Sequence, residues 1–232
     1  MITLRRSEER GQANHGWLKS AHTFSFAGYY DPAHMGFGPL RVINDDVIAA
    51  GRGFGTHGHR NMEIITFVLE GALEHKDSMG NGSAIRPGEI QVMSAGSGVT
   101  HSEFNHSKKE VVHLLQIWIT PNKTGLKPTY QQKSFSEEQR LGKLCLLASG
   151  RKQSGAATIN QDADLFTAAL APKGKVEHAL KPDRHAWVQV TRGSLTVNNT
   201  SLNEGDAAAI SDEKQLELST ATGGEFLLFD LA

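Results

Sequence analysis

Cysteine is almost absent from this sequence, because Cys145 is the single cysteine among 232 residues. One thiol excludes an internal disulfide framework and a zinc site made of cysteines, and it suits a reducing compartment. Long apolar runs are also lacking, since no stretch approaches the roughly 20 apolar residues of a membrane-spanning helix. The arginines near the start are not followed by the apolar segment of a signal peptide. We therefore predict a cytoplasmic protein with no membrane partner.

An excess of either charge is missing as well. The 24 basic residues are balanced by 25 acidic residues, which gives a net charge of −1. Such a chain has no long-range field to draw it to nucleic acid or to an anionic membrane. We therefore predict no direct nucleic-acid partner, whereas a small-molecule ligand and a protein partner stay open.

The histidines, in contrast, stand in an informative pattern. His57 and His59 are two residues apart, and His101 and Glu103 repeat that spacing. On β-strands such pairs project to one face, and neighbouring strands lie about 4.8 Å apart, so two adjacent strands can aim all four side chains at one point. Three imidazoles and a carboxylate without a thiolate favour a mononuclear transition-metal site over structural zinc. This ligand set favours iron and leaves nickel, manganese, copper and zinc open.

The segments around these residues have the composition of strands. Residues 63–70 are rich in β-branched and aromatic side chains and are followed by Gly71. Short strands, frequent turns and the lack of a long helical period predict an antiparallel barrel or jelly roll. The best helix candidate is short, covering residues 135–141 with Ser136 as its N-cap.

A weak internal repeat links the two halves of the chain. Gly71 and the later Gly88-Glu89 corner have counterparts in Gly193 and Gly205-Asp206. In each copy we expect the first glycine to close a hairpin and the Gly-acidic pair to begin the next strand. The repeat predicts two related barrels, of which the second has no His-x-His pair.

The motifs around the histidines resemble those of a known superfamily. The spacing of the first cupin motif is matched by Gly51, His57, His59, Glu63 and Gly71. Gly88 through Asn105 resembles the second cupin motif, but Ser94-Ala95-Gly96 replaces the usual Pro-x-Gly and two additional residues precede the histidine. Further stretches are similar to signatures of one cupin branch, the pirin family: Gly11-Gln-Ala-Asn-His-Gly-Trp17, His22-Thr-Phe-Ser-Phe26, Tyr30-Asp31-Pro32, Leu40-Arg-Val-Ile-Asn-Asp-Asp46 and Met93-Ser-Ala-Gly96. The resemblance is close in the N-terminal half and loose in the C-terminal half.

This resemblance implies an all-β bicupin, in which two jelly-roll cupin barrels pack together. We expect residues 1–130 to form a metal-binding barrel and residues 131–232 to form a cupin-like barrel without metal ligands. The resemblance also implies that one divalent metal, with Fe(II) favoured, is bound by His57, His59, His101 and Glu103. Glu103 is in addition the implied catalytic base.

The implied activity is that of a flavonol 2,3-dioxygenase, or quercetinase. In that reaction the 3-hydroxyl oxygen of the flavonol ligates the metal, and O2 opens the heterocycle with loss of carbon monoxide. The resemblance leaves a second class open, a metal- or redox-sensing protein that associates with a transcription factor or a metabolic enzyme. A third is an enzyme for another enol or phenol, because a fold and a metal site do not name a substrate. Turnover of a flavonol with oxygen uptake separates the first class from the second.

Other polar and aromatic residues have simpler interpretations. Glu63 is interpreted as a reserve ligand, as an acceptor for the N–H of a ligating histidine, or as a solvated strand carboxylate, and the second of these is favoured. His113 shares a strand face with Leu115 and Ile117, and this face can line the cavity. His75 is interpreted as an ordinary structural or surface histidine, and Asp45-Asp46 as turn charges. Core positions, or positions between the barrels, are expected for Trp17, Trp118, Trp187, Phe24 and Phe26.

Overall fold

Antiparallel β-strands make up nearly all of the regular structure. The structure is a computed structural model, and it describes residues 1–151 and 153–232. In chain order its strands are β1 (Ile2–Arg5), β2 (Gly11–Asn14), β3 (Leu18–His22), β4 (Leu40–Ile48), β5 (Gly53–His59), β6 (Glu63–Glu70), β7 (Leu73–Asp77), β8 (Gly82–Ile85), β9 (Glu89–Ser94), β10 (Val99–Asn105), β11 (Val112–Ile119), β12 (Thr129–Ser134), β13 (Cys145–Ser149), β14 (Ala157–Thr158), β15 (Ala163–Leu170), β16 (Lys175–Ala179), β17 (His185–Val197), β18 (Thr200–Asn203), β19 (Ala207–Ile210), β20 (Gln215–Ser219) and β21 (Gly224–Leu231). They are accompanied by a 3-10 helix, Ser7–Glu9, and by α1, Glu137–Arg140. Among the described residues, neither helix has the length or apolar character needed to cross a membrane.

The chain forms two compact units. The N-terminal unit consists of Arg10–Ser134 and Ala157–Gln161, and the C-terminal unit consists of Met1–Glu9, Phe135–Ala156 and Asp162–Ala232. The first residues lie with the C-terminal unit because β1 pairs with β19. The predicted all-β architecture is confirmed, whereas a boundary between residues 130 and 131 stays a prediction.

Two facing sheets build the N-terminal unit. Seven strands pair in the order β12-β9-β6-β11-β4-β3-β2, and four pair in the order β5-β10-β7-β8. Strand β6 is buried along seven of its eight residues, so both of its faces are covered, and it lies inside its sheet between β9 and β11. An apolar cluster that includes Ile48, Val68 and Leu114 fills part of the unit. Burial of such side chains supplies the main driving force for folding.

The C-terminal unit has a sheet of its own, in the order β1-β19-β17-β21-β15-β13. The turns before Glu89 and Asp206 match, because Gly88 and Gly205 both have a positive φ, of 86° and 82°. The hairpins predicted at Gly71 and Gly193 do not form. Gly71 lies between β6, which pairs with β9 and β11, and β7, which pairs with β8 and β10. Gly193 closes no hairpin and instead lies within β17, whose earlier part pairs with β21 and whose last residues pair with β18. Its φ of 68° lets the strand bend from one partner to the other.

The short helix α1 forms where the sequence predicted one. The Ser136 hydroxyl accepts from the backbone N–H of Gln139, and the Gln139 side chain accepts from the backbone N–H of Ser136. This reciprocal capping box stabilises the first turn of the helix. The helix ends at Arg140, because Leu141 has an extended backbone conformation.

Candidate metal centre

Three histidines converge on the paired strands β5 and β10. His101 lies directly opposite His57 in the antiparallel register. The potential ligand atoms of His57, His59 and His101 all lie within 4.8 Å of one another, and the Nε2 atoms of His57 and His101 are 3.1 Å apart. Imidazole nitrogens at this spacing can share one metal ion.

Hydrogen bonds fix which nitrogen of each ring faces the centre. His57 Nδ1 lies 2.8 Å from the Gly55 carbonyl oxygen, which can only accept, so Nδ1 carries the proton and Nε2 keeps its lone pair. His101 Nδ1 lies 3.5 Å from His75 Nδ1, and His75 Nε2 lies 3.2 Å from Asp77 Oδ2. Asp77 therefore accepts from His75, and His75 accepts from His101. This chain of hydrogen bonds leaves His101 Nε2 directed at the centre.

The part played by His75 was missed in the sequence analysis. Strand β7 pairs with β10, so that His75 lies opposite Glu103 and Asp77 lies opposite His101. His75 is fully buried and stacks on Tyr130 with ring centroids 5.0 Å apart. The available signal was the His75-x-Asp77 spacing, which repeats the spacing of the two ligand pairs.

The electrostatics of the cluster favour neutral imidazoles. Burial lowers the pKa of His101 to about 3, and the neighbouring His57, His59 and His75 add to the effect. Burial and His57 lower the pKa of His59 to about 4. At neutral pH these rings are unprotonated, which is the state in which an imidazole binds a metal.

Glu103 is held close to these rings by side chains of the facing sheet. Gln116 Nε2 donates to both carboxylate oxygens, at 2.9 and 3.1 Å, and Thr66 Oγ1 lies 3.4 Å from one of them. Burial raises the pKa of Glu103 to about 7, and the bonds from Gln116 and Thr66 moderate the rise. The pairing register shifts between His101 and Glu103. A carboxylate oxygen of Glu103 lies within 4.8 Å of ligand atoms of His75 and His101. It is not part of the group of ligand atoms that His57, His59 and His101 form.

Glu63 has a different role from the one predicted. The Ser94 hydroxyl donates to Glu63 at 2.6 Å, and the backbone and side-chain amides of Asn160 donate at 3.1 and 3.2 Å. These hydrogen bonds tie β6 to β9 and to residues 157–161. The prediction that Glu63 orients a ligating histidine is therefore wrong in the part of the chain that the structure describes.

The imidazoles open onto a cavity of about 610 Å³, a size typical of small-molecule sites. Its wall is aromatic beside the histidines. Trp118 lies edge-on to His59 at 4.9 Å and to Phe26 at 5.3 Å, and Trp17 lies edge-on to Phe54 at 5.3 Å. Trp17, Trp118 and Phe26 therefore line the cavity, whereas the predicted core positions of Phe24 and Trp187 are correct.

Two predictions about this wall are corrected. The face of β11 that lines the cavity carries Gln116 and Trp118, and His113 lies on the other face, 2.6 Å from Asp45. Asp45 and Asp46 lie within strand β4 rather than in a turn. Asp46 is buried and lines the cavity, and burial raises its pKa to about 7, with Asp45 and Glu103 adding to the rise and the Ser20 hydroxyl opposing it.

A barrel of two facing antiparallel sheets with a histidine cluster in its cavity defines a cupin. Comparisons with known proteins specify the branch of the cupin superfamily. Residues 3–119 match the family described as Pirin, and residues 146–231 match a family described as "Quercetinase C-terminal cupin domain". The chain belongs to the pirin family.

Relatives align with this chain along its whole length. It is 49% identical over 231 residues to a protein of Escherichia coli (strain K12) named "Quercetin 2,3-dioxygenase", with 100% of this chain and 99% of the relative covered. A "Pirin-like protein" of Caulobacter vibrioides is 42% identical over 233 residues, with both chains fully covered. Among solved structures, the bacterial pirin YhhW of E. coli in complex with nickel(II) matches with a TM-score of 0.95 and 48% identity, covering 100% of this chain and 99% of that one.

Proposed function

We propose that this chain is a metal-dependent dioxygenase that opens the heterocyclic ring of flavonols such as quercetin. One observation carries the proposal: three clustered imidazoles and a buried carboxylate line one aromatic cavity, in a chain similar over its full length to a protein named quercetin 2,3-dioxygenase. In the proposed reaction both atoms of O2 enter the ring-opened ester, and one ring carbon leaves as carbon monoxide.

His57, His59, His101 and Glu103 are the proposed ligands of one divalent transition metal. The donor set fits such an ion, because neutral imidazoles and a carboxylate bind iron, nickel and manganese, and no thiolate is present to favour structural zinc. Fe(II) is the proposed metal. Nickel(II) is the first alternative metal to test, because the E. coli pirin YhhW has been solved in complex with it. When bound, the ion would act as a Lewis acid toward a substrate oxygen. We assign it to the N-terminal unit alone, so that one ion per chain is expected.

Glu103 is the proposed base for the substrate hydroxyl. Its pKa of about 7 suits proton transfer near neutral pH, because a base works best when its pKa lies near the pH of the reaction. Gln116 donates to both of its oxygens and so fixes the plane of the carboxylate. Trp118 and Phe26 supply flat apolar surfaces that hold a planar ring system and exclude water.

Oxygen consumption and carbon monoxide release with quercetin test this proposal. Metal-loaded protein should consume O2 and release carbon monoxide, and chelated protein should do neither. A flavone without the 3-hydroxyl should be inert, because the proposed base then has no proton to accept. In Glu103→Gln, turnover should fall much further than metal content, whereas Glu110→Gln, an exposed carboxylate, serves as the matched control. Turnover no faster than that of free metal in buffer would contradict the proposal.

A further inference from the structure

Four buried polar side chains face the cavity from strands β3 and β4. One of them, Ser20, lies opposite Asp46, and its hydroxyl lowers the pKa of that carboxyl. His22 pairs directly with Asn44 in the antiparallel register, and Asp46 lies two residues further along β4. Residues opposite each other, and residues two apart on a strand, share one face of a sheet. Consistent with this, all four side chains line the cavity that holds the histidine cluster. We call His22, Asn44 and Asp46 the polar wall.

Each member of the polar wall has an atom without a hydrogen-bond partner. Asn44 and Asp46 are 3% exposed and His22 is 5% exposed. Among residues 1–151 and 153–232, Asn44 Oδ1, Asp46 Oδ1 and His22 Nδ1 find no partner. The neighbouring Gln116, which lies opposite Asn44 on β11, does have one, because it donates to Glu103. Buried polar atoms are normally paired, so three unpaired atoms on one cavity wall point to a polar ligand.

The polar wall and the metal donors lie on opposite sheets of the N-terminal unit. His57, His59 and His101 lie on β5 and β10 of the four-stranded sheet, whereas the polar wall lies on β3 and β4 of the seven-stranded sheet. A molecule in the cavity therefore has the donors on one side and the polar wall on the other.

Aromatic rings connect the two sides. Trp118 contacts both His59 and Phe26, and Phe26 lies edge-on to His22 with ring centroids 5.3 Å apart. A planar ligand that reaches the donors along these rings extends toward the polar wall.

The wall presents acceptors. The unpaired Asn44 oxygen accepts hydrogen bonds, and the Asp46 carboxyl accepts them when it is ionised. Burial lowers the pKa of His22, so its neutral ring can also accept. Phenolic hydroxyls are donors that match such a surface, whereas a bare aromatic C–H edge leaves the acceptors unpaired. A site built to hydrogen-bond a substrate hydroxyl discriminates strongly against the analogue that lacks it.

We propose that the polar wall is a specificity site that binds ring hydroxyls of a polyphenolic substrate, away from the hydroxyl at the metal donors. This inference rests on the proposed function, because it takes a flavonol as the occupant of the cavity. The proposal assigns His22, Asn44 and Asp46 to substrate selection and gives them no part in the chemical step.

Anaerobic binding of two flavonols to metal-loaded protein tests the proposal. Quercetin carries several ring hydroxyls, and 3-hydroxyflavone keeps only the hydroxyl at position 3. Asn44→Leu and Asp46→Leu should each weaken quercetin binding by about tenfold or more, and should leave the affinity for 3-hydroxyflavone within about twofold. Asp45→Asn is the matched control, because Asp45 lies on the same strand with its side chain bonded to Arg10 and His113, and it should change neither affinity.

The thermal stability of the ligand-free variants is a second measurement. A purely structural role of the polar wall predicts a lower thermal midpoint, whereas a binding role does not. Replacing an unpaired buried polar group by an apolar one of similar size should leave the thermal midpoint of the ligand-free Asn44→Leu protein unchanged or higher. A lower midpoint together with equal losses for both flavonols would show a packing role and overturn the proposal. Wild-type protein that binds both flavonols equally would also overturn it.

The outcome is independent of turnover, because no O2 is present. Hydroxyl-dependent binding without later turnover in air supports the polar wall and rejects the dioxygenase. Turnover in air with quercetin affinities unchanged in both leucine variants supports the dioxygenase and rejects the polar wall.

Discussion

Removing the carboxyl group of Glu103 is expected to change how the stability of the metal-free protein depends on pH. Burial raises the pKa of Glu103 from 4.5 to about 7. Between these values the native protein keeps a proton that the unfolded chain has lost, so the native state becomes less stable as pH rises through this window. The difference between 4.5 and about 7 corresponds to about 3 kcal/mol of unfolding free energy.

Glu103→Gln removes this pH dependence and keeps the size of the side chain. Near pH 4.5 the wild type and the variant should differ little, because both side chains are neutral. At pH 8 the metal-free variant should be more stable than the wild type by up to about 3 kcal/mol. Urea unfolding of chelator-treated protein, followed by tryptophan fluorescence, measures this difference at the two pH values.

Two controls sharpen the comparison. Glu110→Gln removes an exposed carboxylate and should show no such change between the two pH values. A saturating divalent metal should reverse the order at pH 8, since wild type keeps the carboxylate ligand and gains more from binding. A stability difference between the wild type and Glu103→Gln that is the same at pH 4.5 and pH 8 would refute the reasoning.

Three further variants test the site and the fold. His101→Ala should stay folded by circular dichroism but retain little metal by mass spectrometry, and full occupancy would contradict its assignment as a ligand. His75→Ala should keep the proposed ligands yet bind metal about 10- to 100-fold more weakly in a chelator competition, because His101 loses its acceptor; an unchanged affinity would remove His75 from the site. Gly193→Ala should lower the unfolding free energy by on the order of 1–3 kcal/mol, because φ is 68° and the new Cβ would lie 2.5 Å from the Gly223 carbonyl oxygen; a urea midpoint equal to that of the wild type would contradict this.

The grouping of the candidate ligands into two pairs was predictable because it depends on spacing within short segments. His57 and His59, and His101 and Glu103, need only the two-residue period of a strand to share a face. Pairing of β5 with β10 then brings His57 opposite His101. The capping box of α1 is also local, because it depends on Ser136 and a glutamine three residues later.

Contacts between strands that are distant in sequence were harder to predict. Strand β11 is apolar on both faces, so its alternation separates Gln116 from His113 without telling which one faces the cavity. The bond from Gln116 to Glu103 joins two facing sheets. An adjacent pair of aspartates usually indicates an exposed turn, but in β4 it places one carboxyl on each face of a sheet. Burial on the cavity side is a tertiary effect that composition does not encode.

The pairing of β1 with β19 affects how the protein is synthesised and how it can be divided. Residues 2–5 leave the ribosome before their partners at residues 207–210, which follow more than 200 residues later. Strand β1 therefore stays unpaired while the strands of the N-terminal unit assemble. A single cut in the loop after β12 would leave β1 on the N-terminal fragment and its partner β19 on the C-terminal fragment. The edge of β19 would then be exposed, and such open edges promote aggregation. A circular permutant that starts near residue 10 and joins residue 232 to residue 1 through a linker would instead place the strands of each unit almost contiguously along the chain.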